Sequence, residues 1–385
     1  MKLRSVLIVE SEESVGPALS EMLHRLYPGW SVAACDPAVA MSVLRDAAVD
    51  TVVTITREHG GGCLLAERIR EYYPSVSYAT FSANPAESPE LSAGGLAQKI
   101  GRSFALQERL ADPDLVQVAS RLKRIPVISS VFEDMCFAVA SDLAAGGERD
   151  LAEVVKLVDQ DPGIAARILK QANSPIPGVD RSFNTIPAAV AHLGAGRISS
   201  LLLGVSSSDH LCTSGPGARG VQGDWHDAMS TAQLSRKIAA HEQMTADQLD
   251  SAYLAGLLHN VGRLMLAANM PQEFSAIEWP LPTAARLARE QDVFGARHTD
   301  LGALLLRLWG LDDEMTEAVG FYADPVEGAS RGFGPLAAVH GAVVLLGHGH
   351  LDWDKEFLLQ SGLADRIEQW AQLDDVPQTM ATAGF

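Results

Sequence analysis

No CxxC pair occurs in this chain. Cys35, Cys63, Cys136 and Cys212 stand far apart, which excludes a zinc knuckle and a disulfide framework on spacing and suits a reducing compartment. Long apolar runs are missing too. None reaches the ~18 residues needed to span a bilayer, and residues 6–9 are too few for a signal-peptide core, so the expected location is cytoplasmic. Positive charge is scarce: 30 Lys and Arg stand against 48 Asp and Glu, a formal net charge of −18. That sign opposes phosphate polyanions, so neither nucleic acid nor an anionic membrane is expected as a partner. Gly60-Gly61-Gly62 and Ser214-Gly215-Pro216-Gly217 are glycine-rich, but no Gly-Lys-Ser/Thr closes either stretch. They read as a loop and a flexible connection rather than phosphate cradles.

What is present suits two hydrophobic cores. The chain has 385 residues, 47% of them hydrophobic, which is long for one ordinary core. Over residues 1–112, short apolar runs alternate with helical periodicity. Val6-Leu7-Ile8-Val9 reads as a strand buried on both faces. Val15, Leu19, Met22, Leu23 and Leu26 follow at helical spacing, and residues 30–35 form the next run. Asp36-Pro37 caps a helix, Val52-Val53 marks a third strand, and Leu64, Leu65, Ile69 and Tyr72 line another helix face. Residues 76–81 and 96–100 supply two more strands. The expectation is a doubly wound α/β domain with a five-stranded parallel sheet, its functional groups at the carboxyl ends of the strands.

Those ends resemble the receiver domain of response regulators, in degenerate form. The matching positions are Glu10 and Ser11 after strand one, Thr54 or Ile55 after strand three, Ser82 after strand four and Lys99 after strand five. In an active receiver, as the resemblance implies, acidic residues after strand one hold magnesium and an Asp after strand three accepts the phosphoryl group. Here Ser11 replaces the second acid, and no carboxylate lies between Asp50 and Glu58. Thr54 cannot form an acyl phosphate, so the sheet is expected to dock partners without being phosphorylated.

From Asp114 onward strand signals stop and helical periodicity takes over. Residues 113–124 read as a connecting helix, 125–365 as an all-α domain and 366–385 as a helix end with a tail. Helices are expected at 131–143, after the Asp161-Pro162 cap and after Thr185. The order Gln160-Asp161-Pro162, Ala172-Asn173-Ser174, Leu193-Gly194, Gly256-Leu257-Leu258-His259 and His298-Thr299-Asp300-Leu301-Gly302 resembles the HDOD domain, a relative of the HD-type metal phosphohydrolases.

That resemblance implies a site in which His and Asp from separate helices hold cations that activate water. In this chain the pair that names the superfamily is His259-Asn260. The position of the earlier His is Asp227, with His226 one place too early, and the position of the last Asp, three residues after His340, is Val343. The upstream paired His correspond to about Phe321-Tyr322-Ala323. His259 and His298 remain as isolated residues with expected structural roles. His348 and His350, set between Gly347 and Gly349, read as a solvated turn.

No metal, cofactor or catalytic residue is therefore expected. The expected function is a non-catalytic signal-transduction adaptor that acts through protein–protein contacts. Sensor kinases and enzymes of cyclic dinucleotide turnover are the partner classes the resemblance implies, and oligomers remain open. Two alternatives stand beside it. One is a residual phosphohydrolase using Asp227, His259 and His298 around one cation. The other is a nucleotide sensor in which Arg263 or Arg297 faces a phosphate, although either Arg could equally be paired with Asp or Glu.

Overall fold

A computed structural model of the chain describes residues 5–10, 16–27, 29–56, 65, 68, 69, 72, 77–82, 93–123, 125, 151–159, 161–173, 183–203, 218–277 and 281–373. They fall into two compact units, residues 1–105 and 106–385.

In the first unit the run Val6-Leu7-Ile8-Val9 is buried along its length and forms the interior of strand β1 (Ser5–Glu10). β1 pairs in parallel with β2 (Ser31–Cys35) on one side and β3 (Thr51–Thr56) on the other, and β3 pairs in parallel with β4 (Ser77–Ser82). The order is β2-β1-β3-β4. Helix α1 (Gly16–Leu26) buries Leu19 and Leu23. Helix α2 (Pro37–Asp46) begins where Asp36-Pro37 predicts, with Asp36 Oδ1 accepting from the Ala38 amide at 2.7 Å. Ala40 and Leu44 on α2 close over Leu7, Val9 and Val52, and Ile69 completes the cluster.

The sheet corrects the five-strand expectation. Residues 96–100 belong to helix α3 (Ala93–Arg109). Ala97, Ile100 and Phe104 recur at helical spacing and are buried together, while Lys99 is exposed. Lys99 therefore closes no strand, and the described residues form four strands without the fifth of a receiver sheet. β3 also runs on to Thr56, so Thr54 is buried within the strand instead of standing at its end. Glu10 and Ser82 do close β1 and β4. Ser11, Gly60-Gly61-Gly62 and Leu64 lie outside the described residues. Ile69 faces the core as expected, but Tyr72 is exposed.

The second unit is helical throughout its described residues. It begins with α4 (Pro113–Arg121), the expected connecting helix, which buries Leu115 and Val118. α5 (Leu151–Val158) and α6 (Pro162–Ala172) follow, then α7 (Ile186–Leu203). The expected helix at 131–143 lies outside the described residues. Asp161 caps α6 by accepting from the Gly163 and Ile164 amides at 2.7 and 3.2 Å, and Thr185 caps α7 through the Ala188 amide. Gly194, at φ 70°, kinks α7, which is why the Leu193-Gly194 motif separates two helical stretches.

The site is carried by the helices that come next. They are α8 (Ala218–His241), α9 (Ala246–Leu258), α10 (Val261–Asn269), α11 (Pro271–Ser275) and α12 (Thr283–Phe294). After them come α13 (His298–Leu308), α14 (Asp313–Phe321) and α15 (Pro335–Leu345). A capping box at Thr245 and Gln248 starts α9. α9 crosses α8 where Gly256 meets Ala232: a Cβ on Gly256 would lie 2.8 Å from the Ala232 Cα. α10 approaches α13 still more closely, since a Cβ on Gly262 would lie 2.1 Å from the His298 carbonyl oxygen. Small residues thus let the backbones bearing His259 and His298 come together. α16 (Lys355–Ser361) and α17 (Ile367–Trp370) close the unit, and Ile367 and Trp370 are buried in its core.

Candidate functional site

Asp224, Arg263 and Glu290 are buried charged residues on three helices, and burial of charge demands pairing. Arg263 on α10 donates from Nε to both Asp224 oxygens at 2.8 and 2.9 Å and from Nη1 to Glu290 Oε1 at 2.8 Å. Its guanidinium also lies 4.9 Å from the Phe274 ring centroid. Burial opposes its charge, but the two carboxylates hold its pKa above the usual Arg value. Glu290 on α12 uses its other oxygen to accept from the His298 amide at 2.9 Å and from His298 Nδ1 at 2.5 Å. Burial disfavours the Glu290 carboxylate, yet His298 and Arg263 outweigh it and bring its pKa down to about 2.

With Nδ1–H donated to Glu290, His298 Nε2 accepts from the Tyr322 hydroxyl at 2.8 Å. Burial lowers the pKa of this imidazole against the opposing pull of Glu290 and pushes the Tyr322 phenol up. One hydrogen-bonded path therefore runs from Asp224 through Arg263, Glu290 and His298 to Tyr322. His259 packs edge-on against Tyr322 with centroids 5.0 Å apart, and its Nδ1–H donates to the Gly256 carbonyl at 2.7 Å. Burial lowers its pKa to about 3. Asn260 donates its amide to the Asp224 carbonyl at 2.7 Å, which leaves Oδ1 buried with no hydrogen-bond partner among the described residues.

A second group sits beside this path. Asp227 on α8 lies with Oδ1 3.1 Å from Nδ1 of His348, and His348 Nε2 is 2.9 Å from Ser230 Oγ. Ser230 Oγ also donates to the His226 carbonyl at 2.7 Å. Burial and then Asp224 push the Asp227 carboxyl up to about 7, against the opposing charges of Arg286 and Arg263. Burial, then His226 and Arg286, lower His348 to about 4. This corrects the solvated-turn expectation for His348. Its ring is largely buried because Asp227, 121 positions earlier in sequence, folds against it. His350 is exposed, at φ 50°.

The residues at the HD positions do not fit a hydrolytic cation. Both ring nitrogens of His298 are engaged, Val343 offers no donor, and Asp227 lies beside the His348 ring. Asn260 supplies one neutral oxygen. The positive charge of Arg286 acts on Asp227 and His259 alike. Among the described residues no group of three or more His, Cys, Asp and Glu is arranged to hold a metal ion. Neither Arg of the nucleotide-sensor reading turns a guanidinium to a phosphate. Arg263 is committed to Asp224 and Glu290, and Arg297 pairs with Asp300 at 2.8 Å and Asp324 at 3.6 Å.

The structure thus joins Asp227, His259, Asn260 and His298 in one neighbourhood, adds Asp224, Ser230, Arg286 and Glu290, which the sequence reading passed over, and gives Tyr322 and His348 partners that reading did not assign. Arg286 and Glu290, four apart on one helix, are both buried, although that spacing alone reads as a solvent-exposed pair. Nothing local announces Tyr322 or His348 as their partners.

These helices are those of an HDOD domain. Residues 126–325, just over half the chain, match that family, and the chain belongs to it. An uncharacterized protein of Treponema pallidum (strain Nichols) is 24% identical over 212 residues, covering 53% of this chain and 39% of its own length. The chain therefore spans well under half of that curated relative. Among solved structures, the MmoQ response regulator from Methylococcus capsulatus str. Bath is 20% identical with a TM-score of 0.48, covering 65% of this chain and 98% of its own. A virulence factor from Campylobacter jejuni subsp. jejuni is 17% identical with a TM-score of 0.49, covering 70% and 98%. An HDOD domain protein from Geobacter sulfurreducens is 22% identical with a TM-score of 0.37, covering 69% and 89%.

Proposed function

We propose that this chain is a signal-transduction adaptor that works by binding other proteins, with no metal-assisted phosphoester hydrolysis at its HD positions. The observation that carries the reading is the continuous path Asp224–Arg263–Glu290–His298–Tyr322, which engages both ring nitrogens of His298 within the protein. A network satisfied in this way fixes helix packing, and shape is what a docking protein needs. The first unit supports the same reading. Thr54 is buried in β3 and Lys99 lies on a helix, so the receiver-like positions do not assemble a phosphoryl-transfer site. Sensor kinases and cyclic dinucleotide enzymes are the partner classes to test, in the reducing cytoplasm that the cysteine pattern suits.

The test uses the full chain and two variants in the native cell. His259→Ala, checked for an unchanged fold, should keep partner capture and phenotype. Removing residues 1–112 should reduce capture of at least one partner. Loss of the phenotype in a fully folded His259→Ala protein would replace the adaptor reading with chemistry or ligand binding at the site.

A further inference from the structure

We infer that Arg109 couples the end of helix α3 to the His298–Tyr322 hydrogen bond in the HDOD interior, so that releasing either one loosens the other. The inference stands apart from the adaptor reading, since it concerns how the interior answers to a helix and not what the chain binds. α3 (Ala93–Arg109) starts before the division after residue 105 and ends beyond it, and every contact used here lies in the second unit. Leu106 and Leu110 are buried, and the Leu110 amide donates to the Leu106 carbonyl at 2.9 Å. Arg109, on the same turn, reaches two helices at once. Its Nε donates at 2.5 Å to Asp300 Oδ1, on the first turn of α13. Its Nη1 and Nη2 each donate at 3.1 Å to Asp324 Oδ2, just past the end of α14. Nη2 also donates at 3.3 Å to the Gly320 carbonyl, one of the acceptors that the end of α14 leaves open. The guanidinium lies 4.7 Å from the Phe321 ring centroid. A planar fork of N–H donors is what lets one side chain hold all of these partners.

What carries the inference is where the two carboxylates stand. Asp300 is two residues from His298, and Asp324 is two residues from Tyr322. The Arg109 clasp and the 2.8 Å bond between His298 Nε2 and the Tyr322 hydroxyl therefore tie the same two stretches of backbone together. Those stretches have little slack. A Cβ on Gly302 would lie 2.9 Å from Val319 Cγ1, and one on Gly320 would lie 3.0 Å from Ala303 Cβ, so α13 and α14 meet through small residues. Close-packed elements move between discrete arrangements and do not stretch, so a shift of α13 against the end of α14 strains both ties. Arg297 completes the cluster, 2.8 Å from Asp300 and 3.6 Å from Asp324. It keeps both carboxylates paired when Arg109 lets go, so the released state strands no charge on those helices. Two states follow, with the last turn of α3 held or freed, and the interior bond favours the held one. A partner that turns α3, or a ligand that draws on Tyr322, is then felt at the other end.

The experiment follows backbone hydrogen exchange of the full chain by mass spectrometry, comparing the parent with Tyr322→Phe, Arg109→Gln and Arg109→Lys. Tyr322→Phe removes the hydroxyl bonded to His298 and takes no atom from the clasp. It should speed exchange across residues 106–110 by about fivefold or more, the lower end of the range for coupled sites. Because such coupling is reciprocal, Arg109→Gln should speed exchange across residues 298–306 to a similar degree. Arg109→Lys keeps the charge but not the fork, and it should behave like Arg109→Gln. Exchange in α5 should hold the parent rate throughout. If Tyr322→Phe does not fold, the two Arg109 variants decide. Parent rates at 106–110 in a folded Tyr322→Phe chain, parent rates at 298–306 in either Arg109 variant, or equal acceleration in α5 would each overturn the inference.

Discussion

At the scale of single residues, Arg263 is the most consequential side chain in the second unit. It is buried between Asp224 and Glu290, so removing it strands two carboxylates that the surrounding structure cannot solvate. Arg263→Ala should cost about 3–5 kcal/mol in urea unfolding, the range for breaking a buried pair from one side. A loss under about 1 kcal/mol would show that water reaches these groups. Titration gives a second prediction. Burial depresses His259, His340 and His348 to about 3, 4 and 4. Their contribution to stability is full above about pH 6.5 and is lost as pH falls through those values. Asp227 runs the other way. Its folded pKa of about 7 lies above the unfolded ~4, so its contribution is full below about pH 4 and lost as pH rises through 7. Asp227→Asn deletes that opposing contribution. From pH 7 to pH 5 the variant should lose about 2 kcal/mol more stability than the parent chain. Equal losses would place Asp227 in an ordinary solvated setting.

At the scale of elements, much of the architecture was legible because local chemistry dictates it. Asp36-Pro37, Asp161-Pro162 and Thr185 each mark a helix start, and each side chain accepts the amide bond that the start leaves open. Residues 96–100, Leu-Ala-Gln-Lys-Ile, were misread because so short a stretch, apolar at both ends, fits a strand and a helix turn equally well. Only the continuation to Phe104 sets the period. The site was less legible. His259, Asn260 and Asp227 were grouped through motif order, whereas His348 was read as solvated, because the residue it packs against lies far away in sequence. Close helix approach yields a further prediction. Gly262→Ala would drive a methyl to 2.1 Å from the His298 carbonyl oxygen, a backbone atom that cannot rotate away. The substitution should destabilise by about 1–3 kcal/mol or more in chemical denaturation, and it should disturb His298 and Tyr322 before the α8–α9 crossing. A neutral outcome would contradict the α10–α13 geometry.

At the scale of the whole molecule, the chain combines a four-stranded parallel α/β unit with an HDOD domain. In the HDOD unit the polar residues have turned inward, toward one another. The central claim is that this interior is a hydrogen-bonded packing network and not a metal centre. The most direct measurement is metal content per chain by elemental analysis, after the purified full chain is loaded with Mn²⁺, Fe²⁺ or Zn²⁺ and dialysed. The account predicts far less than one equivalent of each. One equivalent retained by the parent chain and lost in His259→Ala would contradict it.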